Sequence, residues 1–325
     1  MNDGRVAGVE TLVSRLVQGT VMIQEDDIVG SFALLDAVFA QGGTTFDTAR
    51  HYGGDSEVVF GRWLRERGPG HRDQVVIIGK GAHHTAEGRR VTPTAIGQDL
   101  DESLVRLGVA TIDLYLLHRD DPTVPVGPLV EALHTHRRAG KIRAYGGSNW
   151  SIARITEANA YAADHGLTPF AASSPQFSLV EQAEPPWDEC VSISGPGETA
   201  VAARAWYAAN RMPLFCWSSL AGGFLSGRYT RDNIATLPGE AAARTRRVYG
   251  TAANFDRLDR ASQLATERGL SVTQIALAWV LHQPLDIYPL VGCESGEEFA
   301  ANAAALDVRL SAAEMEWLDL RRDGR

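Results

Sequence analysis

Short apolar runs alternate with longer amphipathic stretches along the whole of this chain. Eight runs read as strands: RLVQG (15–19), TTFD (44–47), QVVIIGK (74–80), IDLYLLH (112–118), IRAYGG (142–147), FAASSPQ (170–176), PLFCW (213–217) and IYPLVG (287–292). Between them, apolar residues at helical spacing predict helices over 31–43, 56–68, 93–108, 125–141, 151–166, 198–211, 255–269 and 271–283, with one more at 311–322. End signals agree. Pro93 opens one helix and Gly108 closes it, basic residues fill the last turn of 125–141, and Ser151 stands at a cap position. Strands alternating with helices imply a parallel sheet. Eight such units with no composition break predict an α/β fold, a single-domain (β/α)8 TIM barrel over residues 1–325 with an extra C-terminal helix. Two long segments, 180–198 and 218–254, read as irregular loops after strands six and seven. Barrel active sites form from loops at that end of the strands.

Composition narrows the function. The 325 residues suffice for one barrel, which needs roughly 250. A net charge of −9 without a basic stripe argues against a nucleic-acid partner. The clusters at Arg137–Arg138 and at Arg244, Arg246 and Arg247 read as solvated faces. Cys190, Cys216 and Cys293 are widely spaced and form no CxxC, so neither a disulfide framework nor a zinc site is expected, and a reducing, cytoplasmic setting fits. No signal-like start is evident, and no apolar run approaches the ~18 residues of a membrane helix.

Four polar residues lie at or just beyond apolar runs. Asp47 ends the second strand, Tyr52 follows five residues later, Lys80 ends VVIIGK and His118 ends LYLLH. A carbonyl accepting hydride develops negative charge on oxygen and needs a proton donor there. Tyrosine, with a pKa of about 10, is a weak acid at neutral pH. The Lys80 ammonium is expected to lower that pKa, Asp47 to hold Lys80 charged, and His118 to hydrogen-bond the substrate oxygen or help shuttle the proton.

The segments FDTARHYG with its following SE and FG, VVIIGK and DLYLLH resemble the signatures of the aldo-keto reductase superfamily. The resemblance covers nearly the whole chain and implies hydride transfer between a nicotinamide and a carbonyl. Asp47, Tyr52, Lys80 and His118 would be the catalytic set. IRAYGGSNWS is similar to a cofactor segment of the family, so Ser148 and Asn149, together with Gln176, would hold the nicotinamide carboxamide, and Trp217 would stack on its ring. SLAGGFLSGRY (219–229) resembles the loop that closes over the pyrophosphate, implicating Ser218, Leu220 and Gly222. LVGCESGEEFAANAAAL (290–306) aligns with the adenosine-phosphate segment and implicates Gly292, Glu294, Ser295 and Asn302. Many relatives carry a base where Glu294 stands and an acid where Ala301 stands. A base there pairs with a 2′-phosphate, whereas a carboxylate repels it and can accept from a free ribose hydroxyl. NADPH is therefore the family default and NADH a serious alternative. No G-x-G-x-x-G follows the first strand, so a Rossmann reading has no support.

The chain ends soon after 311–322, where relatives with narrow pockets carry a longer tail, so an open pocket is expected. His51, Arg119, Asp120, Trp150 and Trp187 are candidate pocket residues. Their mix of polar and aromatic groups suits a sugar or polyol, although Arg119 and Asp120 equally read as a rim ion pair. The leading function is NAD(P)H-dependent reduction of an aldehyde, ketone or sugar carbonyl, with a small-molecule substrate, no membrane and no metal. Alternatives are an NAD-dependent sugar or polyol dehydrogenase, a redox-sensing regulatory subunit such as the potassium-channel β subunits, and a metal-dependent barrel enzyme. The last draws only on histidines such as His83 and His84. Oligomeric state is not legible in the sequence.

Overall fold

The structure, a computed structural model, describes residues 3–53 and 55–325. An antiparallel hairpin, β1 (Asp3–Gly4) and β2 (Val13–Ser14), precedes the barrel. The barrel strands are β3 (Val17–Gly19), β4 (Thr45–Asp47), β5 (Val76–Gly81), β6 (Ile112–Leu117), β7 (Ile142–Ser148), β8 (Ala172–Ser174), β9 (Leu214–Cys216) and β10 (Ile287–Val291). They pair in chain order, all parallel, and β10 closes the ring against β3. The eight apolar runs are thus the eight strands of a closed (β/α)8 barrel.

Period-two alternation sorts the strand residues into two cores. Val17, Val76, Ile78, Leu114, Leu116 and Phe215 fill the barrel. Their neighbours Ile77, Tyr115 and Leu117 face outward into the helix layer. The hairpin was not expected, because residues 3–14 show no strand-like alternation. Burial explains it: Val6, Val9 and Val13 join the interior cluster and plug the end of the barrel away from the site. At Gly146 a Cβ would sit 2.0 Å from the Ala172 carbonyl oxygen, so only glycine lets β7 and β8 approach this closely.

The outer layer comprises α1 (Ile28–Ala40), α2 (Ser56–Arg67), α3 (Pro69–Arg72), α4 (Pro93–Leu107), α5 (Val126–Arg138), α6 (Ile152–Asp164), α7 (Glu198–Asn210), α8 (Glu240–Tyr249), α9 (Ala252–Arg268), α10 (Val272–Leu281), α11 (Gly296–Ala303) and α12 (Ala312–Leu318). Side chains of Thr92, Ser151, Ser271 and Ser311 cap α4, α6, α10 and α12. The 218–254 segment is not wholly irregular, since it holds α8 and the start of α9. EAAARTRRVY offers few apolar residues, so its helical period is faint. Ala242, Thr245, Val248 and Tyr249 nevertheless share one buried face. The 180–198 segment contains no helix before Glu198 and touches the sheet through a bridge from Ser192 to Gln176. Among the described residues, no helix is long and apolar enough to cross a membrane.

Candidate active site

Parallel pairing with short loops brings the ends of β4, β5 and β6 together at one rim. Asp47 pairs in register with Ile78, and Lys80 with Leu116. The Lys80 ammonium lies 2.5 Å from Asp47 Oδ1. It donates to the Thr48 carbonyl at 3.1 Å and to the Tyr52 hydroxyl at 3.0 Å. Two of its N–H groups are thus spent on hydrogen bonds, while the Asp47 contact is an ion pair. Tyr52 in turn donates to Asp47 Oδ2 at 3.1 Å. The His118 ring stands edge-on to Tyr52, with centroids 5.8 Å apart. Its Nδ1 is buried and has no partner among the described residues.

Burial sets the electrostatics. It raises the Asp47 carboxyl and lowers the Lys80 ammonium, each opposed by the other's charge. Tyr52 is pushed well above its usual value, first by burial and then by the Asp47 charge and hydrogen bond. The expected lowering by Lys80 is thus reversed in the resting protein. The phenol stays protonated, and Lys80 is placed to donate to a phenolate only as one forms. Burial, then Lys80 and Arg119, hold His118 well below the usual imidazole range, so it is a neutral hydrogen-bonding group.

Glu57 sits behind this cluster. It is 1% exposed, and its nearest base, Arg106, is 3.8 Å away. Burial raises its carboxyl from 4.5 to about 7. A carboxyl raised on folding costs nothing below its unfolded pKa, and the cost is complete above the folded one. Glu57→Gln is therefore expected to stabilise the protein by roughly 2–3 kcal/mol at pH 8 and by little at pH 5. Denaturant titration at both pH values checks this. Loss of stability at both would mean that the attraction to Arg106 outweighs burial.

The residues assigned to the nicotinamide end converge on β7, β8 and β9. Ser148 donates to the Ser174 carbonyl at 3.1 Å, and Asn149, in a left-handed turn at φ 59°, donates to Ser148 Oγ at 3.2 Å. Neither amide is idle. Asn149 Oδ1 accepts from the Val191 N–H at 3.2 Å. Gln176 Oε1 accepts from Ser192 at 2.6 Å and Ser194 at 3.1 Å, while its Nε2 donates to Ser178 at 2.9 Å. The 180–198 segment thus orients both amides and leaves each with N–H capacity to spare. These serines and Val191 were missed, because nothing local ties residues 191–194 to position 176.

Trp217 is half-buried, and its indole N–H has no partner among the described residues. One partner of its ring is Trp187, stacked at 5.2 Å and 26°. Beyond it, Ser218, Ala221, Gly222 and Gly223 all take positive φ, at 50°, 54°, 59° and 88°. Glycine meets that demand at 222 and 223 without strain. Among the described residues, the N–H groups of Ser218, Ser219 and Leu220 find no acceptor. Free N–H groups on a left-handed turn suit a pyrophosphate, so the site fits the dinucleotide the resemblance implies.

In the segment assigned to the adenosine end, Ser295 caps α11 by accepting from the Glu298 N–H at 3.2 Å. Asn302 is buried and donates to Cys293 Sγ at 3.1 Å, while Gly292 is exposed. Glu294, Glu297 and Glu298 are all exposed around the helix start, and no residue from 292 to 302 is basic. Glu297 and Glu298 were missed because this helix was not foreseen.

Among the candidate pocket residues, His51 stacks on His83 at 3.7 Å, and His83 meets the His118 ring at 4.8 Å. Trp187 is 40% exposed at the rim. Two expectations need correction. Trp150 is completely buried, packs on Phe170 and donates to the Arg119 carbonyl at 3.1 Å, so it supports the wall and does not line it. Its indole finds more apolar contact behind β7 than at the rim. Asp120 does not pair with Arg119; it pairs with Arg154 of α6 at 3.0 Å. Among the described residues, no group of three or more His, Cys, Asp or Glu could hold a metal ion.

The fold is a closed (β/α)8 barrel with Asp47, Tyr52, Lys80 and His118 gathered at one rim. The model of the aldo/keto reductase family matches residues 15–320, and the chain belongs to that family. It is 27% identical to the uncharacterized oxidoreductase YrpG of Bacillus subtilis, over 94% of this chain and 91% of that one. It is 28% identical to the 6-dehydroglucose reductase of Agrobacterium fabrum, over 95% and 93%. It is also 28% identical to the L-glyceraldehyde 3-phosphate reductase of Escherichia coli K12, over 88% and 82%.

Proposed function

We propose that the chain is an NAD(P)H-dependent reductase of an aldehyde, ketone or sugar carbonyl, with Tyr52 as proton donor. The observation that carries this reading is the Tyr52 hydroxyl held between Lys80 at 3.0 Å and Asp47 at 3.1 Å. When bound, a nicotinamide would supply the hydride for the carbonyl carbon. The carbonyl oxygen takes the Tyr52 proton as the C–O π pair moves onto it, giving the alcohol. Lys80 then donates to the Tyr52 phenolate until solvent returns the proton. His118, neutral, donates a hydrogen bond to the same oxygen and stabilises its developing charge. Both named reductases among the relatives act, by their names, on sugar-type carbonyls, which supports a polyhydroxy substrate. Three unpaired cysteines suit a reducing, cytoplasmic setting.

For the cofactor, the three exposed carboxylates of Glu294, Glu297 and Glu298 favour NADH. A 2′-phosphate among them would meet repulsion and no base, whereas a ribose 2′-hydroxyl can donate to a carboxylate. The same carboxylates favour the second reading, an NAD-dependent dehydrogenase of sugars or polyols. Titrating NADH and NADPH separately against tryptophan fluorescence tests this. NADH should bind as tightly as NADPH or tighter. NADPH binding at least about tenfold tighter, about 1.4 kcal/mol, would overturn the cofactor assignment. Failure of both to bind would overturn the reductase reading.

A further inference from the structure

Among the described residues, no carboxylate is paired with the guanidinium of Arg119. The residue is 8% exposed, and one nitrogen donates to the His118 carbonyl at 3.0 Å. The acids around it belong to other bases. Asp120 pairs with Arg154 at 3.0 Å, and Asp121 with Arg89 at 3.2 Å. Glu189 pairs with Arg89 and, at 2.6 Å, with His84, while Asp188 lies exposed. The remaining titratable neighbours supply no anion. Tyr52 is a protonated phenol, His118 and His83 are held neutral, Lys80 is a cation, and burial pushes the Cys190 thiol up to about 11. A buried cation without a counter-charge is expensive, so it calls for an anion from outside the chain.

The position is as informative as the missing partner. Strand β6 ends at Leu117, so His118 and Arg119 are the first residues of the rim. The Arg119 guanidinium carbon is 5.4 Å from the Trp187 ring, and Trp187 stacks on Trp217. On its other side, His118 faces Tyr52. The Trp150 indole, fully buried, holds the Arg119 carbonyl and so fixes the backbone beneath it. Arg119 therefore stands between the paired indoles and the proton-donating tyrosine. A carbonyl placed at Tyr52 would present its next substituents there.

We propose that Arg119 is the receptor for an anionic group of the substrate. The substrate is then a carbonyl compound carrying a carboxylate or a phosphate a few bonds from the carbonyl. This rests on the carbonyl-reductase reading and narrows it. A guanidinium offers a fork of N–H groups that meets either anion with two parallel hydrogen bonds. A neutral aldehyde, sugar or polyol leaves the cation unpaired in a pocket that has lost its water, and is selected against for that reason.

The test uses matched pairs: succinic semialdehyde against butanal, and glyceraldehyde 3-phosphate against glyceraldehyde. Wild type, Arg119→Gln and Arg119→Lys are assayed with NADH and with NADPH. In wild type, kcat/KM for one anionic member should exceed that of its neutral match by at least about tenfold. Whichever pair shows the preference distinguishes carboxylate from phosphate. The glutamine variant should bring that ratio to about one, and the lysine variant should keep part of it. Two results overturn the proposal: neutral members reduced as well as anionic ones by wild type, or an anionic preference that survives Arg119→Gln while both rates fall together. In the first case the reductase reading stands without the anion site. If wild type reduces none of the four, that reading fails by itself. Quenching of tryptophan fluorescence by succinate or phosphate then decides the anion site. A signal present in wild type and lost in Arg119→Gln supports it, and no signal in wild type overturns it.

Discussion

Replacing Tyr52 by phenylalanine is expected to lower kcat/KM for carbonyl reduction by about 10²–10⁴-fold, the usual contribution of a positioned general acid. The substitution removes one oxygen atom. It leaves the Lys80–Asp47 contact at 2.5 Å in place, so cofactor affinity should not change. Retention of more than about a tenth of wild-type kcat/KM, a loss under ~1.4 kcal/mol, would mean that another group donates the proton. The pH profile is part of the same expectation. His118 is held neutral by burial and Tyr52 is kept protonated by burial and Asp47, so neither titrates near neutrality. The wild-type rate of reduction should stay level from about pH 6 to pH 9. A limb near pH 6.5 would mean that His118 gains a proton in the working enzyme.

Lys80→Met is expected to cost both activity and stability. It strands Asp47, a 2% exposed carboxylate whose nearest cation is Lys80 at 2.5 Å. Removing one partner of a buried pair costs about 3–5 kcal/mol, because the remaining charge is left without compensation. The double variant Asp47→Asn/Lys80→Met removes the stranded charge as well. It should recover most of the stability and none of the activity, since Tyr52 still lacks the ammonium that steadies its phenolate. Thermal or denaturant unfolding reads the first effect and carbonyl turnover the second. A Lys80→Met protein as stable as wild type would show that Asp47 takes up a proton at little cost. A double variant with normal turnover would remove Lys80 from the mechanism.

Much of the architecture was legible because it is local. Each barrel strand lies within or overlaps one of the eight apolar runs, and the long helices carry their own caps and stops. Asp47, Lys80 and His118 stand at strand ends, so a barrel with parallel strands necessarily gathers them at one rim. The helix α8 escaped notice because its sequence is rich in Ala and Arg, and its burial comes from the loop before it. The hairpin escaped because two-residue strands have no period to detect, and only the open end of a barrel makes Val6, Val9 and Val13 worth burying.

The side chains of the candidate site were likewise written in residue types, whereas their electrostatics were not. Asp120 takes Arg154, 34 positions away, in place of adjacent Arg119. Gln176 is oriented by Ser192 and Ser194, and Trp187 by Trp217. Tyr52 is raised where its neighbour Lys80 alone would have lowered it. By itself, then, the sequence determined the strands, their order and the four side chains at the rim, because periodicity and spacing act over a few residues. Only the tertiary structure decided which charges are paired and which proton is held. Burial and partner choice depend on elements far apart in the chain, and desolvation grows with everything that packs around a group.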